Sequence, residues 1–161
     1  MINEIKLSKH GRAYISLHMK PYGKERLTAV EYKLDTGADL TTVSKETLSA
    51  VLGYTKEWIA EHTVQDMTRT VSRAGGKAEP ACYVVIPTSN ILGRELSNWP
   101  FYIRAEEDND FPNLLGINIL SYFNFSFSYD KGFLNIEPAV APVIKLPMLV
   151  SQEIGELKRT I

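Results

Sequence analysis

The residues best suited to chemistry are a short run at positions 35–38, which reads Asp35, Thr36, Gly37, Ala38. A carboxylate at the end of a strand can act as a general base toward water when nearby donors hold its oxygens. Threonine offers a hydroxyl that can fix the turn, and glycine lets a second backbone approach closely because it has no Cβ. An ordinary turn after a strand has a similar composition. The run alone therefore leaves both a hydrolytic site and a structural turn open.

Two alternating segments are expected to position this run. In residues 12–19, small and apolar side chains alternate with polar or aromatic ones, and residues 27–34 alternate again up to Leu34. Such alternation is typical of half-buried strands. Residues 20–24 between them contain Pro21 and Gly23, which favour a turn. The sequence thus predicts a hairpin whose second strand delivers Asp35 at its end.

Two short helices and a long hairpin are predicted next. Ser44 is a suitable N-cap for a helix over residues 45–52, and Thr55 for a helix over residues 56–62. Residues 68–72 and 81–86 are predicted strands joined by a glycine-rich tip, and such a tip can act as a movable cover. The candidate cover residues are Val71, Ser72, Arg73, Ala74, Gly75 and Gly76.

A second glycine motif follows in an apolar run over residues 114–120, which contains Leu114, Leu115 and Gly116. A similar segment lies at residues 91–96 around Gly93. We favour Gly116 because a strand hairpin over residues 123–136 can still form after it. Residues 87–97 are predicted to be rich in turns, with a short edge strand at residues 99–103 because Pro100 cannot donate to a sheet.

Length and composition indicate one globular domain. The chain has 161 residues, 44% of them hydrophobic, and a net charge of −1, so no basic field indicates a nucleic-acid or anionic-membrane partner. One cysteine excludes an internal disulfide, and the three histidines have no metal-ligand spacing. We expect a mostly β domain over residues 1–138 with a tail over residues 139–161, and no metal or cofactor. The first residues lack a signal-peptide pattern, so a cytoplasmic location is expected.

The combination of these motifs resembles the retropepsin family, the single-domain aspartic proteases of retroviral type and their cellular relatives. The resemblance covers roughly residues 12–137: the run at 35–38, a hairpin tip at 73–77, the glycine motif at 114–116 and a final strand hairpin. It implies a closed, β-barrel-like acid protease fold with one or two short helices. It also implies that the hairpin tip is a flap over the substrate.

The family resemblance further implies an aspartic endopeptidase. Water is activated between two aspartates, and two carboxylates about 3 Å apart share one proton because they cannot both ionise. With a single Asp-Thr-Gly run in 161 residues, the second carboxylate must be Asp35 of a second copy. Thr36 is then expected to support the carboxylate pair and Gly37 to line the substrate backbone, with Ala38 packed beside them.

Three departures leave other interpretations open. Lys33 lies where the family is usually apolar, residues 44–62 are longer than in a minimal viral enzyme, and the tail is extra. A retropepsin-fold dimer that only binds peptides is the first alternative. A helix–turn–helix over residues 44–63 is the second, although its second helix carries two acids and one lysine. A monomer in which Asp35 only forms a turn is the third.

Overall fold

The computed structural model describes residues 3–71, 79–103 and 113–139. Their strands form a six-stranded sheet and a three-stranded sheet, with two short helices and one helical turn. In the larger sheet, neighbouring strands follow the order Val64–Val71, Glu79–Ile91, Tyr14–Met19, Thr28–Leu34 and Leu114–Leu115, and the strand Arg94–Ile103 pairs with Glu79–Ile91. The prediction of a mostly β chain is confirmed. The closed barrel-like arrangement and the domain boundary at residue 138 stay predictions.

The predicted first hairpin is present. Strands β2 (Tyr14–Met19) and β3 (Thr28–Leu34) pair antiparallel, with Tyr14 opposite Lys33 and Met19 opposite Thr28. Ile15, Leu17 and Met19 are buried on one face, as their spacing predicted. Strand β3 contributes Val30 and Tyr32 to the same core, and burial raises the pKa of the Tyr32 phenol well above its usual value. One apolar face of the hairpin thus packs into the core, and the other face lies outside the core.

The helical segments follow the capping signals in the sequence. Ser44 Oγ accepts from the Thr47 amide at 3.0 Å, before a π-helical turn over Thr47–Val51. Helix α1 (Lys56–His62) begins where Thr55 Oγ1 accepts from the Trp58 amide at 3.0 Å. The buried side chains of Leu48 and Ile59 join the core.

Strands β4 (Val64–Val71), β5 (Glu79–Ile91) and β6 (Arg94–Ile103) form the outer part of the sheet. Strand β4 is longer than predicted, and its register against β5 shifts between Asp66 and Thr70. The prediction that residues 87–97 are rich in turns is wrong. Only Leu92 and Gly93 separate β5 from β6, because both have positive φ angles and close a two-residue hairpin turn. The predicted flap tip lies outside the described residues.

The last part of the chain connects both sheets. Strand β7 (Leu114–Leu115) runs parallel to β3, and helix α2 (Ile117–Leu120) follows directly. Strands β8 (Phe123–Ser128) and β9 (Phe133–Pro138) form the predicted final hairpin, and β1 (Asn3–Lys6) adds to β9. No helix in the three described ranges is long and apolar enough to cross a membrane.

Candidate active site

Asp35 lies at the end of β3, where the chain continues to pair with β7. The Lys33 amide donates to Asn113 O at 2.9 Å, and the Asp35 amide donates to Leu115 O at 3.1 Å. Between them, the Leu34 amide points to the other side and donates to Ala13 O at 3.0 Å. Asp35 is therefore held in extended backbone between two neighbouring segments.

The Asp35 carboxylate is oriented by the glycine two residues later. The Gly37 amide donates to Asp35 Oδ1 at 2.9 Å, and the Ala38 amide donates to Asp35 O at 3.2 Å. A Cβ added at Gly37 would lie 3.2 Å from Asp35 Oδ1. Glycine at this position thus leaves space beside the carboxylate while its amide fixes one oxygen. Asp35 is half-buried, and Thr36 and Gly37 are exposed.

Gly116 packs against the turn that follows Asp35. A Cβ on Gly116 would lie 2.5 Å from both C and O of Leu40 and 2.9 Å from Ala38 O, so only glycine fits. The Ile117 amide donates to Ala38 O at 2.9 Å. The glycine motif at residues 114–116 and the run at residues 35–38 are therefore direct neighbours. Gly93, the alternative motif, lies in the β5–β6 turn, and an added Cβ there would meet nothing within 4 Å.

A buried polar network joins the same two segments. Thr41 Oγ1 donates to Asn118 Oδ1 at 2.7 Å and accepts from the Gly116 amide at 3.1 Å. Thr41 is fully buried and Asn118 is 3% exposed. Asn118 Nδ2 is also buried and has no hydrogen-bond partner among the described residues. Because buried polar groups are costly when unpaired, this network fixes the relative position of both segments.

Sequence reasoning did not single out Thr41 or Asn118. The signal was one polar residue, Asn118, inside an apolar run, since a polar side chain in such a run requires a buried partner. Its partner lies 77 positions away, and no local pattern gives that pairing.

The structure brings together only part of the predicted site. The residues that meet are Asp35, Thr36, Gly37 and Ala38 on one side and Leu114, Leu115 and Gly116 on the other. Val71 ends β4 and pairs with Glu79, at the base of the predicted flap. Ser72, Arg73, Ala74, Gly75 and Gly76 lie outside the described residues. The catalytic and binding roles of these residues stay predictions.

One protomer presents one ordered carboxylate at this site. In the described parts of the chain, no group of three or more His, Cys, Asp or Glu side chains could hold a metal ion. A single oriented carboxylate can accept a proton from water. A second acid at the same place would allow one carboxylate to act as the base while the other donates a proton.

Comparisons with known proteins agree with this geometry at the level of the fold. A scan against protein-family models and a search of curated proteins each found no match. Among solved structures, the chain is similar to the crystal structure of a retropepsin-like aspartic protease from Rickettsia conorii. The TM-score is 0.58 at 24% sequence identity, over 84% of this chain and 91% of that one. The resemblance inferred from the sequence motifs is thus confirmed as a retropepsin-like fold.

Proposed function

We propose that this retropepsin-like chain is an aspartic endopeptidase that works as a symmetric homodimer. The observation that carries the proposal is the Asp35 carboxylate, held by the Gly37 amide at 2.9 Å on a loop against which Gly116 is closely packed. This loop orients the acid while leaving it half-buried rather than enclosed.

The homodimer is part of the proposal because the chain carries a single Asp-Thr-Gly run. A two-fold axis beside the exposed Thr36 and Gly37 brings the two Asp35 carboxylates together, and the pair then holds one proton between them. The ionised carboxylate removes a proton from water, whose oxygen attacks the peptide carbonyl carbon. The protonated partner hydrogen-bonds to the carbonyl oxygen, and a proton passes to the leaving nitrogen as the C–N bond breaks. No covalent link to the protein forms.

The substrate class supported best is an extended peptide. Strands β4 and β5 pair antiparallel as far as Val71 and Glu79, and a paired hairpin of this kind can bind an extended peptide through backbone hydrogen bonds. Flap closure over the peptide by residues 72–77 is part of this proposal.

The decisive experiment is peptide cleavage by Asp35→Asn. We expect at least about a thousandfold lower kcat/KM, because an amide cannot serve as the base. The matched control is Asp130→Asn, which removes an exposed acid in the β8–β9 turn and should cleave as the unmodified protein does. Equal cleavage by Asp35→Asn and the control would overturn the proposal.

The dimer is tested by light scattering over a range of concentrations. A mass of twice 18.1 kDa in the active range supports the proposal, and activity should fall as the dimer dissociates on dilution. Activity per chain that stays constant in a monomeric range would contradict it. A dimer that binds peptides without cleaving them would favour the binding module.

A further inference from the structure

Lys33 lies on the same sheet face as Asp35. The amides of Lys33 and Asp35 both point to β7, whereas the Leu34 amide points to Ala13 on the opposite side. In an extended strand, residues whose amides point the same way also project their side chains to the same face. The α-carbons of Lys33 and Asp35 are therefore about 7 Å apart along one face.

Two side chains lie beside Lys33 on the sheet face that also carries Asp35. The antiparallel neighbour of Lys33 on β2 is Tyr14, and its parallel neighbour on β7 is Leu114. Tyr14 is 37% exposed, whereas Lys33 and Leu114 are half-buried. This face thus offers a phenol, an apolar side chain and an ammonium group next to the carboxylate.

No ion pair of the Lys33 ammonium group is found among the described residues. The nearest acid on its own strand face, apart from Asp35, is Glu31, which is exposed and lies two residues further from the site. A half-buried ammonium on the sheet face that carries Asp35 is available to a ligand carboxylate. An apolar substrate side chain placed over this ammonium would displace the water bound to it and offer no hydrogen bond in its place, which is unfavourable.

We infer that Lys33 is a specificity-determining residue that selects an acidic side chain next to the scissile bond. The inference rests on the proposed function and names its substrate class, which is extended peptides with Asp or Glu at the cleavage site. Because the proposed dimer is symmetric, each protomer contributes one Lys33. An acidic side chain on either side of the scissile bond would therefore meet one of the two ammonium groups.

The proposed contact between the Lys33 ammonium and the acidic side chain of the substrate is a charge-assisted hydrogen bond. An ammonium–carboxylate contact at a half-buried position is stronger than a neutral hydrogen bond. The Tyr14 hydroxyl can donate to the second carboxylate oxygen. Asp and Glu would be preferred over Asn and Gln, because these amides have the same shape without the charge.

The test is a library of extended peptides that carries every pair of residues at two central positions, with cleavage read by mass spectrometry. The unmodified protein should cleave peptides with Glu at either position roughly tenfold faster than those with Gln. Lys33→Met should remove this ratio, Lys33→Arg should keep it, and Lys33→Glu should reverse it in favour of Lys and Arg. The matched control is Lys24→Met in the exposed β2–β3 turn, which should keep the ratio.

Two results would overturn the inference. One is an unmodified protein whose Asp35-dependent cleavage shows no Glu-over-Gln preference. The other is a Lys33→Met variant that keeps the preference and instead changes the pH profile for all peptides alike. In that case Lys33 acts on the carboxylate pair rather than on the substrate.

Binding to Asp35→Asn separates this inference from the proposed function. The probes are the Glu and Gln versions of one fluorescent peptide, measured by anisotropy with and without Lys33→Met. If the unmodified protein cleaves nothing but the Glu peptide binds tighter through Lys33, the protease proposal fails and the acidic preference stands. If neither cleavage nor a Lys33-dependent difference in binding is seen, both fail.

Discussion

Two of the three Leu-Gly dipeptides in the chain, at residues 92–93 and 115–116, have different structural roles. Leu92 and Gly93 form the β5–β6 turn with φ angles of 50° and 82°, and the Gly93 amide donates to Asn90 Oδ1 at 3.1 Å. Leu115 and Gly116 are extended and buried, and Gly116 has a φ of −89°. The first glycine is needed for its conformation, and the second for its lack of a side chain.

This difference explains why the structural role of a short motif cannot be assigned from its residue types alone. At Gly93 the surroundings are open, so only the backbone angle restricts the residue. At Gly116 the angle suits any residue, but the Leu40 backbone occupies the place of a Cβ. Only the second environment couples the glycine to Asp35, through the loop that Leu40 belongs to.

Gly116→Ala should have the largest effect. The added methyl group lies 2.5 Å from the backbone of Leu40, and backbone cannot move aside as a flexible side chain can. We expect a loss of about 3 kcal/mol or more in the free energy of unfolding, with peptide cleavage abolished. Urea unfolding and a cleavage assay measure the two effects. Unchanged stability and activity would show that the close packing does not exist in solution.

Thr41→Val should have an intermediate effect. Valine keeps the shape but leaves the Gly116 amide without its acceptor and Asn118 Oδ1 without its donor. We expect a loss of about 2 kcal/mol in the free energy of unfolding. Thr28→Val, at the end of β3 remote from Asp35, is the control and should change stability by less than about 0.5 kcal/mol. Equal losses in the free energy of unfolding of the two variants would show that the Thr41 network does not stabilise the fold.

Gly93→Ala should have the smallest effect. Alanine meets no atom there but must adopt a φ near 82°, which costs about 1 kcal/mol. Thermal unfolding should show this modest loss, while kcat/KM at a temperature well below unfolding stays unchanged. A loss of activity in the fully folded variant would mean that the Leu92–Gly93 turn also contributes to the site.

Local signals predicted the elements that have local causes. Helix α1 begins after Thr55 and ends at His62 as expected, because its cap and its apolar positions lie within one short segment. The β2–β3 and β8–β9 hairpins are also confirmed, because alternation and turn residues determine them. The resemblance to the retropepsin family, which rests on motifs distributed along the chain, predicted the fold.

The features that were missed depend on distant partners. Strand β6 begins at Arg94 because it pairs with β5 from Cys82 to Ile91, although the composition of residues 87–97 favours a loop. The pairing of Thr41 with Asn118 and the fit of Gly116 to Leu40 join segments that share no local pattern. The place of Lys33 beside Asp35 follows from backbone pairing on both sides of β3.

The contact between Thr41 and Gly116 also bears on biosynthesis. These residues lie 75 positions apart, so at about 5 to 20 residues per second a ribosome needs about 4 to 15 s to make the second after the first. During that interval the growing chain carries Asp35 without the segment that orders its loop. We therefore expect the acid to be organised only once most of the domain has been translated.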